Sequence, residues 1–312
     1  MKTPYHLKMR NIVSANTVLF PDLPDWCNYP FYLADYAEYY QLGVSEILLQ
    51  RVQLDQFFTD LIEVQADEQL EFEYEVTVNR VFFLFILDGD ISFSLLNNLL
   101  ITRVKTGHFY LFYSRPGQYK IQFERGKHIA IIVSAGIQWL KEALSTSDLL
   151  NSFVENIKNG TEVCIMPLCK MDYKIKKWLR EIYNFNSSNT RVLENLLRLN
   201  LSLSLEHYLN LLTQQEKLLP YKIKHYLDEH YCDPDLSYAR LAKIFFYTPR
   251  TLRNQFQATF NISIYNYYTH LRLKKAQGLL SMKLNIKDVY MMVGYKDESV
   301  FRRAYKRFTG DG

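Results

Sequence analysis

The spacing of hydrophobic residues divides the chain into parts, and the first regular part is strand-like. From Ser45 to Val133, short apolar or alternating runs are separated by turn residues such as Gly89 and Gly107. A period of two between closely spaced turns is typical of β-strands, and a series of about nine predicts an antiparallel barrel or sandwich. The predicted strands span residues 47–54, 57–64, 70–76, 81–87, 91–95, 99–104, 109–113, 119–123 and 129–133.

A helical period replaces the strand period after this series. The last helix carries more leucines than one buried face requires, so it either packs only within the chain or also pairs with a second copy. The first 44 residues contain the breakers Pro21, Pro24 and Pro30 and predict no regular structure. The predicted helices span residues 137–144, 148–158, 172–185 and 190–217.

The third part, from Ala239 to Gly312, begins with a helix, a tight turn and a second helix. Thr248 is a predicted N-cap, and Pro249 is the first helical residue. The buried face of the second helix is predicted to contain Leu252, Phe256 and Phe260. Its opposite face carries donors for base edges and phosphates, namely Arg250, Arg253, Asn254 and Gln257. A short helix of this kind suits the major groove of DNA.

The same pattern occurs a second time. Asp297 occupies the capping position 49 residues after Thr248, which indicates an internal duplication. Residues 264–281 predict one connecting helix of about 27 Å, which suits two recognition helices about 34 Å, or one turn of DNA, apart. The second buried face is predicted to contain Phe301 and Tyr305, and the second exposed face Ser299, Arg302 and Arg303.

This duplicated segment resembles the AraC/XylS-type bacterial transcription regulators. The resemblance covers about Tyr221 to Gly310. Its motifs include Leu241-Ala242, Arg272-Leu273, Lys275-Ala276, Leu279-Leu280 and Gly294-Tyr295. It implies that the exposed positions of both recognition helices contact double-stranded DNA. Lys275 and Lys306 are predicted to add phosphate contacts.

The resemblance also implies properties of the rest of the chain. A cupin-like β-barrel commonly precedes the DNA-binding part in this family and senses a small-molecule effector, and the helices after the barrel commonly form a homodimer. RNA polymerase is a further partner implied for such a regulator. The aromatic-rich strands predict the effector site, with candidates Phe83, Phe85, Tyr110, Phe112 and Arg115.

Two positions depart from the family pattern. Phe246 stands in the first turn, where the family usually has glycine, and Tyr290 stands where the second unit usually has a small residue. A side chain with a Cβ is disfavoured at positive φ. Phe246 therefore predicts a turn that is either strained or differently shaped.

Charge is distributed unevenly along the chain. The net charge of +4 combines a C-terminal segment, 217–312, with 17 basic and 8 acidic side chains, and a preceding part with 20 basic and 25 acidic ones. A basic module on an acidic body is typical of a nucleic-acid-binding domain joined to a domain with another task. Binding of the basic helices to an acidic protein partner is the alternative.

The sequence offers little support for catalysis. His108 and His128 are isolated, without the paired histidines and carboxylate that a metal site in a barrel needs. There is no nucleophile elbow and no phosphate-binding loop. The four cysteines lack paired spacing, and neither a signal peptide nor a membrane span is present. We therefore expect a cytoplasmic protein that is not an enzyme and uses neither a metal nor another cofactor.

These observations predict an α+β protein with an N-terminal cupin-like antiparallel β-barrel and helices, followed by an all-α DNA-binding domain with two helix-turn-helix units. The favoured function is an effector-responsive transcription regulator. The alternative is a small-molecule-binding or enzymatic barrel whose helical tail has lost DNA binding. The predicted boundaries are 1–185 for the barrel and its helices, 186–216 for a dimerisation helix, 217–220 for a hinge and 221–312 for the DNA-binding domain.

Overall fold

The computed structural model describes residues 3–9, 12–18, 22–143, 148–185 and 189–309. The chain divides into two compact units, Met1–Leu211 and Leu212–Gly312. An antiparallel β part is followed by a helical part, so the predicted fold class is confirmed. Residue 144, the predicted end of a helix, and residues 310–312 lie outside the described residues. No helix in the described part is long and apolar enough to cross a bilayer.

The first unit begins with a long run of strands. Within the described ranges these are β1 (Tyr5–Lys8), β2 (Ser14–Val18), β3 (Tyr36–Leu42), β4 (Ser45–Gln53), β5 (Phe57–Ala66), β6 (Leu70–Val76), β7 (Arg80–Asp88), β8 (Asp90–Leu95), β9 (Leu100–Lys105), β10 (His108–Ser114), β11 (Gly117–Phe123), β12 (Gly126–Gly136), β13 (Val163–Ile165) and β14 (Cys169–Lys170). The nine predicted strands are confirmed as β4 to β12. The expectation of an irregular start is wrong, since β1, β2 and β3 all lie there.

These strands form two sheets and not a closed barrel. One sheet has the order β1-β6-β11-β8-β9, and the other has the order β13-β10-β7-β12-β5-β4-β3-β2, with β14 also beside β10. Closing a barrel requires hydrogen bonds between outermost strands. In the described part, the outer strands of one sheet make no ladder with the other sheet. The predicted cupin-like barrel is therefore wrong as a closed barrel, and the strands enclose a core between two sheets.

Helices of the first unit cover the larger sheet. They are α1 (Ile137–Ala143), α2 (Asp148–Lys158), α3 (Tyr173–Tyr183) and α4 (Thr190–Glu216). Tyr208 of α4 lies 6.0 Å from Phe83 and 5.1 Å from Phe109, measured between ring centroids. Phe82 and Leu84 of β7 lie instead in the core between the sheets. Because β7 is buried on both faces, its sequence is a continuous apolar run without alternation.

The second unit is helical. Its helices after α4 are α5 (Leu219–His230), α6 (Tyr238–Phe245), α7 (Pro249–Phe260), α8 (Ile264–Ser281), α9 (Ile286–Met292) and α10 (Glu298–Thr309). Only Lys217 and Leu218 separate α4 from α5. Pro220 lies in the first turn of α5, where a missing amide hydrogen leaves no hydrogen bond unmade.

Two small hydrophobic cores organise this unit. The first contains Leu241, Leu252 and Phe256 and joins α5, α6 and α7. The second contains Val289 and Phe301 and joins α9 and α10. Helix α8 contributes its N-terminal half to the first core and its C-terminal half to the second. Each predicted helix-turn-helix unit thus has a core of its own.

Candidate functional site

Helix α7 has the cap and the buried face that the sequence predicts. The Thr248 hydroxyl accepts a hydrogen bond of 3.2 Å from the Thr251 amide, and Pro249 begins the helix. Leu252 and Phe256 are fully buried in the first core. Burial of two large apolar side chains, each worth about 1.5–3 kcal/mol, fixes which face of α7 points to solvent.

The solvent face of α7 presents the predicted donors. Arg250, Arg253, Asn254 and Gln257 are all exposed. The guanidinium of Arg253 lies 5.1 Å from the ring centroid of Tyr238, a residue of α6. This cation–π contact restrains Arg253 before any ligand binds. Tyr238 was not among the predicted site residues, because only the turn geometry brings α6 beside this position.

The turn before α7 has a backbone conformation that glycine adopts easily and that strains Phe246. Phe246 has φ 58° and ψ 35°, the left-handed conformation that glycine adopts without cost. Its side chain is 92% exposed, so no burial offsets the strain. Of the two expectations for this turn, the structure therefore bears out the strained one.

Helix α10 repeats the arrangement with a different cap. Asp297 accepts hydrogen bonds from the Val300 amide at 2.9 Å and from the Ser299 hydroxyl at 2.5 Å. Hydrogen bonds from Ser299 and then Val300 hold the pKa of Asp297 below its ordinary value. Phe301 is fully buried in the second core. The cap and the buried face orient α10 as they orient α7.

The exposed residues of α10 differ in their local contacts. Ser299, Arg302 and Arg303 are exposed. Arg302 forms an ion pair with Glu298 at 2.6 Å, one helical turn away. The Nε of Arg303 lies 3.4 Å from the Ser299 carbonyl oxygen, which is a longer contact. The predicted base-reading arginines are therefore exposed, and Arg302 has a competing carboxylate.

The two predicted phosphate contacts are exposed as well. Lys275 lies on α8, with its ammonium 5.9 Å from the ring centroid of Tyr231, and Lys306 lies on α10. All nine predicted DNA-binding residues are thus exposed on three helices of one compact unit. The second unit is the basic part of the chain, and the residues before it have an acidic excess.

A cavity of about 60 Å³ lies between the two sheets of the first unit. Phe112 lines it, and Tyr110 stacks on Phe112 with ring centroids 5.3 Å apart. Phe83 and Phe85 lie on the opposite face of β7, and Arg115 borders a separate surface depression. Strand β7 is apolar at every position between its two end residues, so the sequence does not tell which of its side chains face the cavity. Phe82 and Leu84, which line it, were therefore not among the predicted residues. The cavity lining also includes Phe72, Tyr74, Ile91, Phe93, Phe123, His128 and Ala130.

A buried polar cluster fixes one wall of this cavity. Tyr5, which lines the cavity, donates a hydrogen bond from its hydroxyl to Asp60. Arg51 is also buried, and its guanidinium lies 3.3 Å from Asp60 and 2.9 Å from Glu38. Burial raises the pKa of the Tyr5 hydroxyl, which therefore stays protonated as a donor. The cluster attaches strand β1, in one sheet, to β5 in the other.

Comparisons with known proteins concern mainly the second unit. Residues 241–311 match the family model of a helix-turn-helix domain. Over 78 residues the chain is 37% identical to the HTH-type transcriptional regulator RipA of Corynebacterium diphtheriae. That match spans 25% of this chain and only 22% of the length of RipA.

Solved structures with some similarity include two further proteins. One is the C-terminal domain of AraT, a response regulator from Geobacillus stearothermophilus, which is 27% identical with a TM-score of 0.29. The match covers 30% of this chain and 77% of the AraT chain. The other is apo ToxT from Vibrio cholerae, which is 13% identical with a TM-score of 0.36. That match covers 82% of this chain and 95% of the ToxT chain.

The matched segment begins in α6 and contains both capped helices, α7 and α10. Each of these helices follows a turn and buries one apolar face in its own core. Family match, cap geometry and burial agree on the same residues. The C-terminal region of this chain is therefore a helix-turn-helix domain.

Proposed function

We propose that this protein is a sequence-specific DNA-binding transcription regulator. The observation that carries the proposal is the pair α7 and α10. Each is capped, buried on one face and donor-rich on the exposed face, and both lie in a domain that matches the helix-turn-helix family. Side chains of this kind contact base edges in the major groove and phosphates beside it.

The mechanism divides these contacts into two classes. Arg250, Arg253, Arg302 and Arg303 read bases, since an arginine fork can donate two hydrogen bonds to guanine. Lys275 and Lys306 meet phosphates and add affinity without regard to sequence. Helix α8 has 18 residues and a length of about 27 Å, so it suits two helix-turn-helix units separated by about one turn of DNA.

The proposal is tested by selecting ligands for the full chain from random-sequence DNA and measuring gel shifts over a series of salt concentrations. We expect a recurring sequence, and an affinity that falls steeply as salt rises. The double variant Arg253→Ala/Arg303→Ala should lose the sequence preference, while Lys222→Met, which removes one exposed charge on α5, should keep it. Selection that yields no recurring sequence would refute the proposal.

We further propose that the cavity between the sheets binds a small apolar effector. Its lining is almost wholly apolar. The Nε2 atom of His128, which also lines it, is hydrogen-bonded to the Glu124 carbonyl oxygen at 2.6 Å. An effector controls DNA binding only if it binds two arrangements of the protein with unequal affinity. A thermal-shift screen of small apolar compounds should yield binders that Ala130→Leu, which narrows the cavity, no longer binds. Binders unaffected by Ala130→Leu would place the effector elsewhere.

We also propose a homodimer formed through α4. One stripe of this helix is buried within the unit, including Leu197, Leu201 and Leu205. A second stripe, Val192, Leu196, Leu199 and Leu203, follows heptad spacing on the other side, and Val192 and Leu199 are exposed. A second copy of α4 is a natural cover for this stripe. Such a regulator acts in the cytoplasm, with RNA polymerase as its further partner.

A further inference from the structure

The two helix-turn-helix units do not share a hydrophobic core, which raises the question of what fixes their relative orientation. The first core is formed around Leu252 and Phe256 and the second around Phe301. Helix α8 runs through both. A single helix between two small cores can bend or twist at its middle, so α8 alone does not fix the angle between α7 and α10.

At the middle of α8, Arg272 contacts both helix-turn-helix units. Its guanidinium is buried, and it donates hydrogen bonds to the carbonyl oxygens of Tyr231 at 2.6 Å and Asp233 at 2.7 Å. Both acceptors lie in the loop between α5 and α6, within the first helix-turn-helix unit. A buried cation is tolerated only where hydrogen bonds replace its water, and these two carbonyls supply them.

The same guanidinium lies close to two aromatic rings, Tyr268 one turn earlier on α8 and Tyr295 in the second helix-turn-helix unit. Its central carbon is 4.8 Å from the ring centroid of Tyr268 and 5.6 Å from that of Tyr295. Tyr268 packs on the first core, and Tyr295 packs edge-on against Phe301 in the second, with ring centroids 5.2 Å apart. Arg272, on the helix that joins the two helix-turn-helix units, is therefore in contact with both of them.

A close backbone approach reinforces this contact. Gly294, in the turn between α9 and α10, has φ 85°, and a Cβ added there would lie 2.5 Å from the carbonyl oxygen of Cys232. No side chain fits that gap. Lys296 also pairs with Asp235 at 2.6 Å, but both side chains are well exposed, so this pair contributes little.

We infer that Arg272 is a positioning residue that sets the angle and spacing between α7 and α10, so that both enter DNA at once. The inference rests on the proposed function. Arg272 need not touch DNA for this role. Its loss should leave each recognition helix able to bind one half of a site, while the gain from joining two binding elements falls because their geometry is no longer fixed.

The test uses the full chain and three DNAs derived from its selected sequence. One keeps both half-sites, and each of the others has one half-site scrambled. We expect Arg272→Met, which keeps the apolar stem, to weaken binding to the complete site by at least about tenfold. Binding to a single half-site should change less than about twofold, and the matched charge control Lys222→Met should leave the ratio between complete and single sites unchanged.

A spacing series adds a readout that simple destabilisation would not alter. Inserting two base pairs between the half-sites rotates one by about 70°. Wild-type affinity should fall sharply, whereas the affinity of Arg272→Met should depend much less on the insertion. Gly294→Ala, which displaces the Cys232 loop, should behave in the same way and carries the test if Arg272→Met does not fold.

The possible outcomes separate the two hypotheses. If wild-type protein selects no DNA sequence, the proposed function fails and the inference fails with it. If wild-type protein binds a two-part site and both variants bind it with unchanged affinity and spacing dependence, only the inference is overturned. Equal losses on complete and single sites by folded variants would also overturn it.

Discussion

At the scale of single residues, the arginines of α7 and α10 differ in how they are held. Arg253 lies against Tyr238, and Arg302 is paired with Glu298. An exposed pair one helical turn apart is worth only about 0.3–0.5 kcal/mol, so DNA can displace Glu298 at small cost. The longer contact of Arg303 leaves its fork available for a base. We therefore expect Arg303 to contribute most to sequence preference within α10.

Arg303→Ala should weaken binding to the selected DNA by about 1–3 kcal/mol. The reason is the loss of two hydrogen bonds to one base, so preference at that base should relax. Binding to random DNA should fall much less. Lys306→Ala is the comparison, since loss of a phosphate contact should weaken both DNAs alike. Competition gel shifts measure both, and equal losses for Arg303→Ala would show that it meets only phosphate.

Phe246→Gly should stabilise the protein. The left-handed conformation costs a residue with a Cβ about 1–2 kcal/mol, and the exposed ring recovers little of this. Glycine gains conformational freedom in the unfolded chain, which offsets part of the benefit. We expect the free energy of unfolding to rise by about 0.5–1 kcal/mol.

The neighbouring change Tyr247→Gly is the control for this prediction. Tyr247 is not at positive φ, so glycine relieves no strain there and should lower the free energy of unfolding. Urea denaturation of both variants gives the comparison. If Phe246→Gly destabilised the protein as much as Tyr247→Gly, the strain would be absent or offset by contacts of the ring.

At this scale, buried residues could be predicted from the sequence where hydrophobic residues recur on only one face of an element. The every-fourth spacing of Leu252 and Phe256 identified the buried face of α7, and with it the exposed Arg253. On β7 the neighbours Phe82 and Phe83 are equally apolar, and both sides of the strand are buried. No alternation then tells which residue faces the cavity, so the candidates Phe83 and Phe85 lie on the helix-covered side.

At the scale of elements, α4 has two distinct apolar sides. The side with Leu197 and Leu201 packs within the unit and holds Tyr208 against the sheet, where its hydroxyl donates to the Pro167 carbonyl at 2.5 Å. The other side exposes Leu199 at 58% and Val192 at 46%. Isolated exposed leucines are ordinary on surfaces, but a series at heptad spacing is typical of a helix-pairing seam.

If the proposed dimer forms through α4, Leu199→Glu should convert it to a monomer without unfolding the protein. A carboxylate in the centre of the seam would have to be buried without a partner in the dimer, whereas it remains hydrated in the monomer. Tyr173→Glu, at an exposed aromatic residue on α3, is the matched control and should remain dimeric. Sedimentation velocity distinguishes the states. A wild-type protein that is monomeric at all concentrations would end this proposal.

The elements missed by sequence reasoning share a physical cause. Strands β2 and β3 lie at the edge of the larger sheet and are mostly exposed or half-buried, so they lack a hydrophobic alternation. Strand β1 has only four residues, and its partners are remote in sequence, since it pairs with β6 and Tyr5 donates a hydrogen bond to Asp60, 55 residues away. Such a contact leaves no local signal. The same holds for the sheet edges, whose pairing decides between two sheets and a closed barrel.

At the scale of the whole molecule, the two units have complementary compositions. The first contains the apolar cavity and the exposed stripe of α4 and has an acidic excess, and the second contains both recognition helices and has a basic excess. This division suits a protein in which one unit senses a ligand and forms a dimer while the other binds DNA. The charge asymmetry and the duplicated pattern are both local signals, so both can be seen in the sequence.

The central claim is that α7 and α10 bind two successive major grooves on one face of DNA. Hydroxyl-radical footprinting and guanine-methylation interference with the full chain on its selected DNA test it most directly. We expect protected patches in pairs with centres about 10 base pairs apart. Guanines whose methylation prevents binding should lie in both members of each pair. A single patch per site, or two patches on opposite faces of the duplex, would contradict the claim.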